Sequence, residues 1–343
     1  MASPFVAIGW HLLGAAMAAT FYVPIERVRS WSWETTWVIA GWFSWIVAPI
    51  GVTLMLLPHF HAFYAEMGWP LLIRVVLFGA LWGVGSITYG LTVRHLGLSL
   101  GIGMAIGLTL TVGTLLPPIV AGQAALLFET RSGLIGMAGV AVSLIGVAIV
   151  TFAGHQKEVQ RKGSLDEFNV PLGITLAVLC GISSSGMSFG IAAAKPMEQA
   201  ALHLGVNPLY AALPAYVLIM GGGSLVNWAY CFFRMGTLRH NPFGDMRRPT
   251  PELLKNTALA ALGGFMWYLQ FFFYAWGAAN IPQKLSYVNW MLHMSLYVLC
   301  GGLVGLALGE WKGVSTRSIR ILCLGILFII AAANIVGLGM ATN

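Results

Sequence analysis

Residues 264–295, G-F-M-W-Y-L-Q-F-F-F-Y-A-W-G-A-A-N-I-P-Q-K-L-S-Y-V-N-W-M-L-H-M-S, hold the groups most able to do chemistry in this chain. Gln270, Asn289 and His293 stand in apolar surroundings, interleaved with Trp267, Tyr274, Trp276, Tyr287 and Trp290. Helical spacing places Trp267, Gln270 and Tyr274 on one face, and Ser286, Asn289, Trp290 and His293 on a face of the next helix. Polar groups at membrane depth are costly, and they face a cavity or one another. Carboxamides bond hydroxyls and flat rings cover C–H surface, so the pattern suits a ligand with both apolar and hydroxyl faces. Gln270, Asn289, Trp290, Trp267 and Tyr274 are therefore the candidate substrate-binding residues of a transporter.

The elements that must position them form a membrane bundle. Over 343 residues the chain is 58% hydrophobic and only 8% charged, with a mean hydropathy of +0.81. A soluble domain is about 25% charged. Ten apolar runs fit, near 4–22, 36–57, 71–92, 97–118, 133–153, 172–194, 208–233, 256–277, 286–308 and 318–339. Each is close to the roughly 20 residues that cross a bilayer. None shows strand alternation, which argues against an outer-membrane barrel. The start, M-A-S-P-F-V-A-I-G-W, lacks a basic n-region and reads as a retained first span.

Charge and cysteine usage narrow the class. The net charge of +7 is scattered over loops, which speaks against a nucleic-acid partner. Fourteen of the 18 Lys and Arg residues fall in or beside connections 1–2, 3–4, 5–6, 7–8 and 9–10. The positive-inside rule then puts those connections in the cytoplasm and both termini outside. Cys180, Cys231, Cys300 and Cys323 lie in apolar spans without metal-ligand spacing and read as small buried hydrophobes. No metal, cofactor or nucleophile–base pair is indicated, so an enzyme is not expected.

An internal repeat divides the chain. Gly79-Ala-Leu-Trp82 … Tyr89 returns as Gly264-Phe-Met-Trp267 … Tyr274, at an offset of 185. Leu98-Ser99 … Met104 returns as Leu285-Ser286 … Met291 at 187, and Gly139 … Ile149-Val150 as Gly325 … Ile335-Val336 at 186. Three matches in order at nearly constant offset indicate a duplication. Residues 1–154 and 172–343 are the two halves, with a cytoplasmic linker at 155–171. The expected fold class is all-α integral membrane, ten transmembrane helices as two inverted five-helix repeats. Inverted repeats around a midplane site are a transporter arrangement. Gln270, Asn289 and His293 have Gly85, Ile102 and Ile106 as counterparts, so the polar groups are where the halves differ.

Other features are read more plainly. Trp31, Trp33 and Trp37 fit an interfacial belt, which leaves Glu34 as a carboxylate at the membrane boundary. His59 and His61, at i and i+2, are exterior loop residues. Gly103-xxx-Gly107 and Gly301-xxx-Gly305-xxx-Gly309 suit packing within the bundle, which favours a monomer over a dimer. Ser183-Ser-Ser-Gly186 can bend its helix, Lys195 snorkels outward, and Gly221-Gly-Gly223 near Asn227 marks a hinge or a close crossing.

W-H-L-x-G-A, W-S-W-E-T, A-A-A-K-P-M, M-W-Y-L-Q-F-F-F-Y-A-W-G, W-M-L-H-M-S and A-A-N-I-V-G-x-G-M-A are similar to the L-rhamnose–proton symporter family of enteric bacteria. The resemblance runs from the first span to the last. It implies a member of the drug/metabolite transporter superfamily in the bacterial inner membrane, importing L-rhamnose, and related sugars such as L-lyxose, with protons and no cofactor. Two departures stand out: Glu26 in I-E-R-V-R-S, where the family is more uniformly basic, and a charge bias that opposes the cytoplasmic termini described for many of the superfamily. An exporter or facilitator of another small polar metabolite in the same superfamily is the rival reading. A proton symporter needs a group that changes protonation as the site changes face, and the usual one is an intramembrane carboxylate. Here all 11 carboxylates lie in or next to connections. That leaves His293 and His11, with Glu34 at the boundary, as proton-coupling candidates; free imidazole titrates near pH ~6.5. Rhamnose, a 6-deoxy sugar, would lay its methyl and C–H patches on the rings and its hydroxyls on Gln270 and Asn289.

Overall fold

The computed structural model describes residues 4–96, 98–160, 169–237, 245–246 and 250–341. All regular elements among the described residues are helices. Ten are long and apolar enough to cross a membrane: α1 (Phe5–Ile25), α2 (Trp33–Leu56), α3 (Trp69–Thr92), α4 (Gly103–Val120), α5 (Arg131–Gln160), α6 (Val170–His203), α7 (Leu213–Thr237), α8 (Pro251–Ala279), α9 (Val288–Ala307) and α10 (Thr316–Met340). A helix satisfies its backbone internally, which is the condition for standing in hydrocarbon. The spans expected from sequence are all present. Residues 161–168 of the linker, and most of connection 7–8, lie outside the described residues.

Two helices are irregular for identifiable reasons. In α2, residues Trp42–Val47 form a π-turn, with the Ala48 N–H bonded to the Phe43 carbonyl. Pro49 has no N–H to return to Trp45, so the wider turn accommodates it. The result folds the Trp45 ring over Gly41 and into the bundle, where it is 3% exposed. In α6, Ser185 bonds back to the Ile182 carbonyl and breaks the helix before Gly186, the bend expected of this serine run. Lys195, expected to snorkel, pairs instead with Glu198 at 2.8 Å in the short amphipathic helix that ends the span.

The packing has a reciprocal pattern. α3 packs on α6 and α7 as α8 packs on α1 and α2, and α4 lies against α6 as α9 lies against α1. α5 and α10 share the most extensive contact of all. Moving every helix number by five exchanges these pairs. The α3–α7 crossing shows why the triple glycine is there: Gly222 sits against the Val76 carbonyl, Gly223 against the Trp82 ring, and Gly79 against the Ile219 carbonyl. It is a close crossing, which small residues permit. Gly103 faces Thr151 of α5, and both Gly103 and Gly301 line a cavity.

The crossing predicts a contrast between adjacent glycines. A methyl at Gly222 would overlap the Val76 carbonyl, while one at Gly221 meets nothing within 4 Å. Gly222→Ala should destabilise the detergent-solubilised protein by roughly 1–3 kcal/mol, as overpacking does. Gly221→Ala should leave the melting temperature unchanged or slightly raised. Equal melting of the two variants would contradict the crossing.

Candidate functional site

A cavity of about 730 Å³ opens at the end of the bundle that carries connections 1–2, 3–4, 5–6, 7–8 and 9–10. Its charged lining residues are Glu26, Glu34, Lys157, Arg234 and Glu310. Lys157, only 10% exposed, donates to Glu310 at 2.9 Å and lies 5.3 Å from the Trp311 ring centre. Arg234 approaches Glu34 at 3.9 Å. The Glu34–Arg234 pair joins α2 to α7, and the Lys157–Glu310 pair joins the end of α5 to connection 9–10. Further in, the walls are aromatic and uncharged: Trp37, Ser86, Tyr89, Asn227 and Tyr297.

Asn227 organises one of those walls. Its Nδ2 donates to the Gly223 carbonyl at 3.0 Å and the Gly83 carbonyl at 3.5 Å. That fixes the amide, and Oδ1 accepts from Ser86 Oγ at 3.2 Å and Trp37 Nε1 at 3.4 Å. One carboxamide thus ties α2, α3 and α7 together. On the other side, Tyr89 of α3 and Tyr297 of α9 line the cavity.

The residues singled out from sequence come together one layer deeper. His11 Nε2 lies 3.0 Å from Asn289 Oδ1, and His293 Nε2 lies 3.4 Å from Gln270 Oε1. The two imidazole rings are 6.0 Å apart, with Tyr274 at 5.2 Å from His11 and 5.4 Å from His293. Asn289 Nδ2 donates to the Ser286 carbonyl at 2.9 Å, so its Oδ1 is the acceptor facing His11. His11 is therefore the Nε2–H tautomer, and its Nδ1 keeps a lone pair. That Nδ1 is buried without a partner, as is Nδ1 of His293. Gly14 and Gly277 make room for the rings: a Cβ at Gly277 would meet His11 at 2.7 Å, and one at Gly14 would meet His293 at 3.2 Å.

An aromatic layer lies between the cluster and the cavity. Trp82 and Trp267 meet at 5.5 Å, Trp45 stands edge-on to Trp82 at 6.3 Å and to Trp267 at 6.0 Å, and Phe271 links Trp267 at 5.0 Å to His293 at 6.3 Å. Ser86 is one helical turn from Trp82, and Tyr297 one turn from His293, a step of about 5.4 Å. Of the eight candidates, Glu34 alone lines the cavity, away from the histidines and beside Arg234. Gln270, Asn289, Trp290, Tyr274, His11 and His293 are buried, and Trp267 packs against them through Phe271. Trp290 is anchored by its N–H to the Thr109 carbonyl of α4 at 3.1 Å. Other buried polar atoms without partners, on Ser44, Trp45, Thr53, Thr114, Ser143, Tyr216, Trp228, Tyr268 and Trp276, are spread along the length of the bundle.

Sequence reasoning gave no weight to Ser86, Tyr297 or the Lys157–Glu310 pair as site residues. A lysine closing an apolar span was a usable signal; the Ser86 contact depends on which helix lies opposite. Ser183-Ser-Ser-Gly186 supplies no ligand group evident here, since Ser185 bonds its own helix and Ser184 packs against Cys180. Of the cysteines, three are buried as expected, but Cys323 is exposed, on the outward side of α10. Among the described residues no group of three or more His, Cys, Asp or Glu side chains could hold a metal ion.

Ten membrane-length helices around a cavity open at one end, with a sealed polar cluster beyond it, define a multi-spanning membrane protein built for transport. Residues 2–342 match the family model described as L-rhamnose-proton symport protein (RhaT), and the chain belongs to that family. It is 55% identical over 335 residues, 97% of both chains, to a protein named L-rhamnose-proton symporter from Cronobacter sakazakii. Similarly named proteins of Salmonella dublin and Klebsiella pneumoniae are 54% identical over 336 residues, 98% of each chain. The family is one of transporters, not enzymes.

The histidine geometry is open to direct measurement. In protein labelled with ¹⁵N-histidine, NMR should find His11 protonated at Nε2 and bare at Nδ1. Asn289→Ala should remove that preference; a His11 protonated at Nδ1 in the parent protein would contradict the hydrogen-bond assignment.

Proposed function

We propose that this chain imports L-rhamnose together with protons across the bacterial inner membrane, by alternating access. The observation that carries the reading is likeness over 97–98% of both chains to relatives named for that activity. The charge of the cavity agrees with a neutral substrate. Among the described residues its lining holds three carboxylates against two cations, and both cations are paired. The basic connections lie in the cytoplasm in this reading and both termini in the periplasm, so the open cavity faces inward.

Two inverted repeats provide the exchange of faces. Support comes from the reciprocal helix pairs and from the unpartnered Nδ1 atoms of the two histidines sealed at the closed end. Buried polar groups without partners are costly and need an explanation. A second conformation, open at that end, would give them water. Gln270, Asn289, Trp267, Trp290 and Tyr274 then face the sugar from the outer side, and they close over it when the aromatic layer re-forms.

His11 and His293 couple the proton. A ring that takes a proton at its bare Nδ1 becomes a cation, and a buried cation without an acceptor costs several kcal/mol. A sugar hydroxyl oxygen can accept that N–H. The charged ring therefore survives closure only with the sugar bound, and loss of sugar to the inner side releases the proton. Glu34, beside Arg234 at the cavity mouth, is the relay on the exit side. L-Lyxose, which lacks the methyl of rhamnose, is a weaker second substrate, because a methyl contact is worth only about 1–3 kcal/mol.

In proteoliposomes, His11→Gln and His293→Gln should keep counterflow of labelled L-rhamnose while losing its accumulation on a pH gradient. Undiminished coupled uptake in both variants would remove the histidines from the mechanism. Gln270→Ala and Asn289→Ala should each weaken L-rhamnose binding by roughly 1–3 kcal/mol, the cost of an unpaired buried group. Calorimetry giving the parent affinity for both would exclude them as ligands.

A further inference from the structure

In the inward-open conformation the sequence-derived sugar ligands are out of reach. Gln270 and Asn289 are each 5% exposed, and neither lines the cavity. The cavity has its own hydroxyl-binding groups. Ser86 and Trp37 both donate to Asn227 Oδ1, at 3.2 and 3.4 Å, longer than the usual ~2.9–3.0 Å of such bonds. A hydroxyl inserted there could accept from the Trp37 N–H and donate to the same oxygen, without disturbing the bonds from Asn227 Nδ2 to Gly83 and Gly223. The Trp37 indole stacks on Trp33 at 5.2 Å and is partly exposed along the cavity wall. Aromatic walls of this kind accept C–H and methyl groups. Across the cavity, the hydroxyls of Tyr89 and Tyr297 offer further donors and acceptors. No charged residue is among these five.

We propose that Trp37, Ser86 and Asn227, faced by Tyr89 and Tyr297, form the inward-facing seat of a neutral 6-deoxyhexose. The assignment rests on the reading of the chain as a rhamnose transporter. It adds a second shore to the site: the carboxamide and imidazole cluster bounds the sugar from the outer side, and this set bounds it from the inner side. The Trp45–Trp82–Trp267 layer lies between them. Specificity then depends on where hydroxyls stand. L-Fucose, which is also a 6-deoxyhexose, presents the same methyl with a different hydroxyl arrangement and fits the seat poorly.

The test uses the full chain in lipid nanodiscs, with Cys323→Ser removing the exposed thiol. In that background Ser86→Cys should react with a small thiol reagent, and L-rhamnose should slow the reaction at least fivefold, with L-fucose having little effect. Independently, Ser86→Ala, Tyr297→Phe and Trp37→Phe should raise the calorimetric Kd for L-rhamnose tenfold or more, at melting temperatures close to the parent. If the parent binds L-rhamnose but the sugar leaves Ser86→Cys labelling unchanged, or if all three variants bind as the parent does, the seat is wrong and the transport reading stands. If the parent protein binds no L-rhamnose, the transport reading itself fails. Protection by L-fucose equal to that by L-rhamnose would overturn the hydroxyl-reading role of the seat.

Discussion

A polar side chain inside a bundle of apolar helices has only its neighbours to bond, and the inner organisation of this protein follows from that constraint. Asn227 can stand at the cavity wall because two carbonyls at the α3–α7 crossing hold its amino group. Those carbonyls are within reach because glycines let the two helices approach. Asn289 orients His11 because its own amino group is held by the Ser286 carbonyl. In both places the backbone fixes a carboxamide, and the carboxamide then presents one oxygen to the groups that matter. A side chain that had to choose its own rotamer in hydrocarbon could not specify a tautomer.

Much of this was legible in the sequence. The ten spans follow from apolar run length, because the bilayer sets a nearly fixed requirement. The pairing of Gln270 with His293 was partly legible too: helical spacing put each on an inward face of consecutive spans joined by a short turn. The link from His11 to Asn289, 278 residues apart in the chain, was not. Periodicity tells which face of a helix looks inward and not which helix it looks toward. The same limit hid the joining of Ser86 to Asn227 and of Lys157 to Glu310, 141 and 153 residues apart in the chain. Glu34 was expected at the membrane boundary, and its approach to Arg234 depends on how α2 and α7 cross.

The charged residues at the cavity mouth obey a different rule from the polar ones inside. Exposed ion pairs contribute little to stability, and a half-buried cation is costly once its partner is withdrawn. Lys157 is nearly buried while Glu310 is 43% exposed, so the pair is held mainly for the sake of the lysine. One pair links α2 to α7 and the other links the end of α5 to connection 9–10, so movement of these helices changes the environment of both charges. Among the described lining residues those beyond the mouth are uncharged, which is the condition for a neutral polyol to bind without paying to desolvate an ion as well.

The repeat acquires a spatial meaning from the aromatic layer. Trp82 and its counterpart Trp267 meet there at 5.5 Å. Tyr89 and Tyr274 follow them by seven residues, on helices running in opposite directions, so the two tyrosines leave the layer on opposite sides. Tyr89 lines the open cavity beside Tyr297, and Tyr274 lies sealed between the two histidines. Equivalent residues thus occupy one open and one closed environment in a single conformation. Exchanging the conformations of the halves would open the surroundings of Tyr274 and close those of Tyr89, which is the motion an inverted repeat needs to carry a substrate through. The exchange cannot be symmetric in chemistry, because Gln270 has Gly85 as its counterpart. In the proposed mechanism, a protonatable cluster on only one side of the layer would give the two faces different affinities for the proton–sugar pair, and that difference would couple the sugar to the gradient.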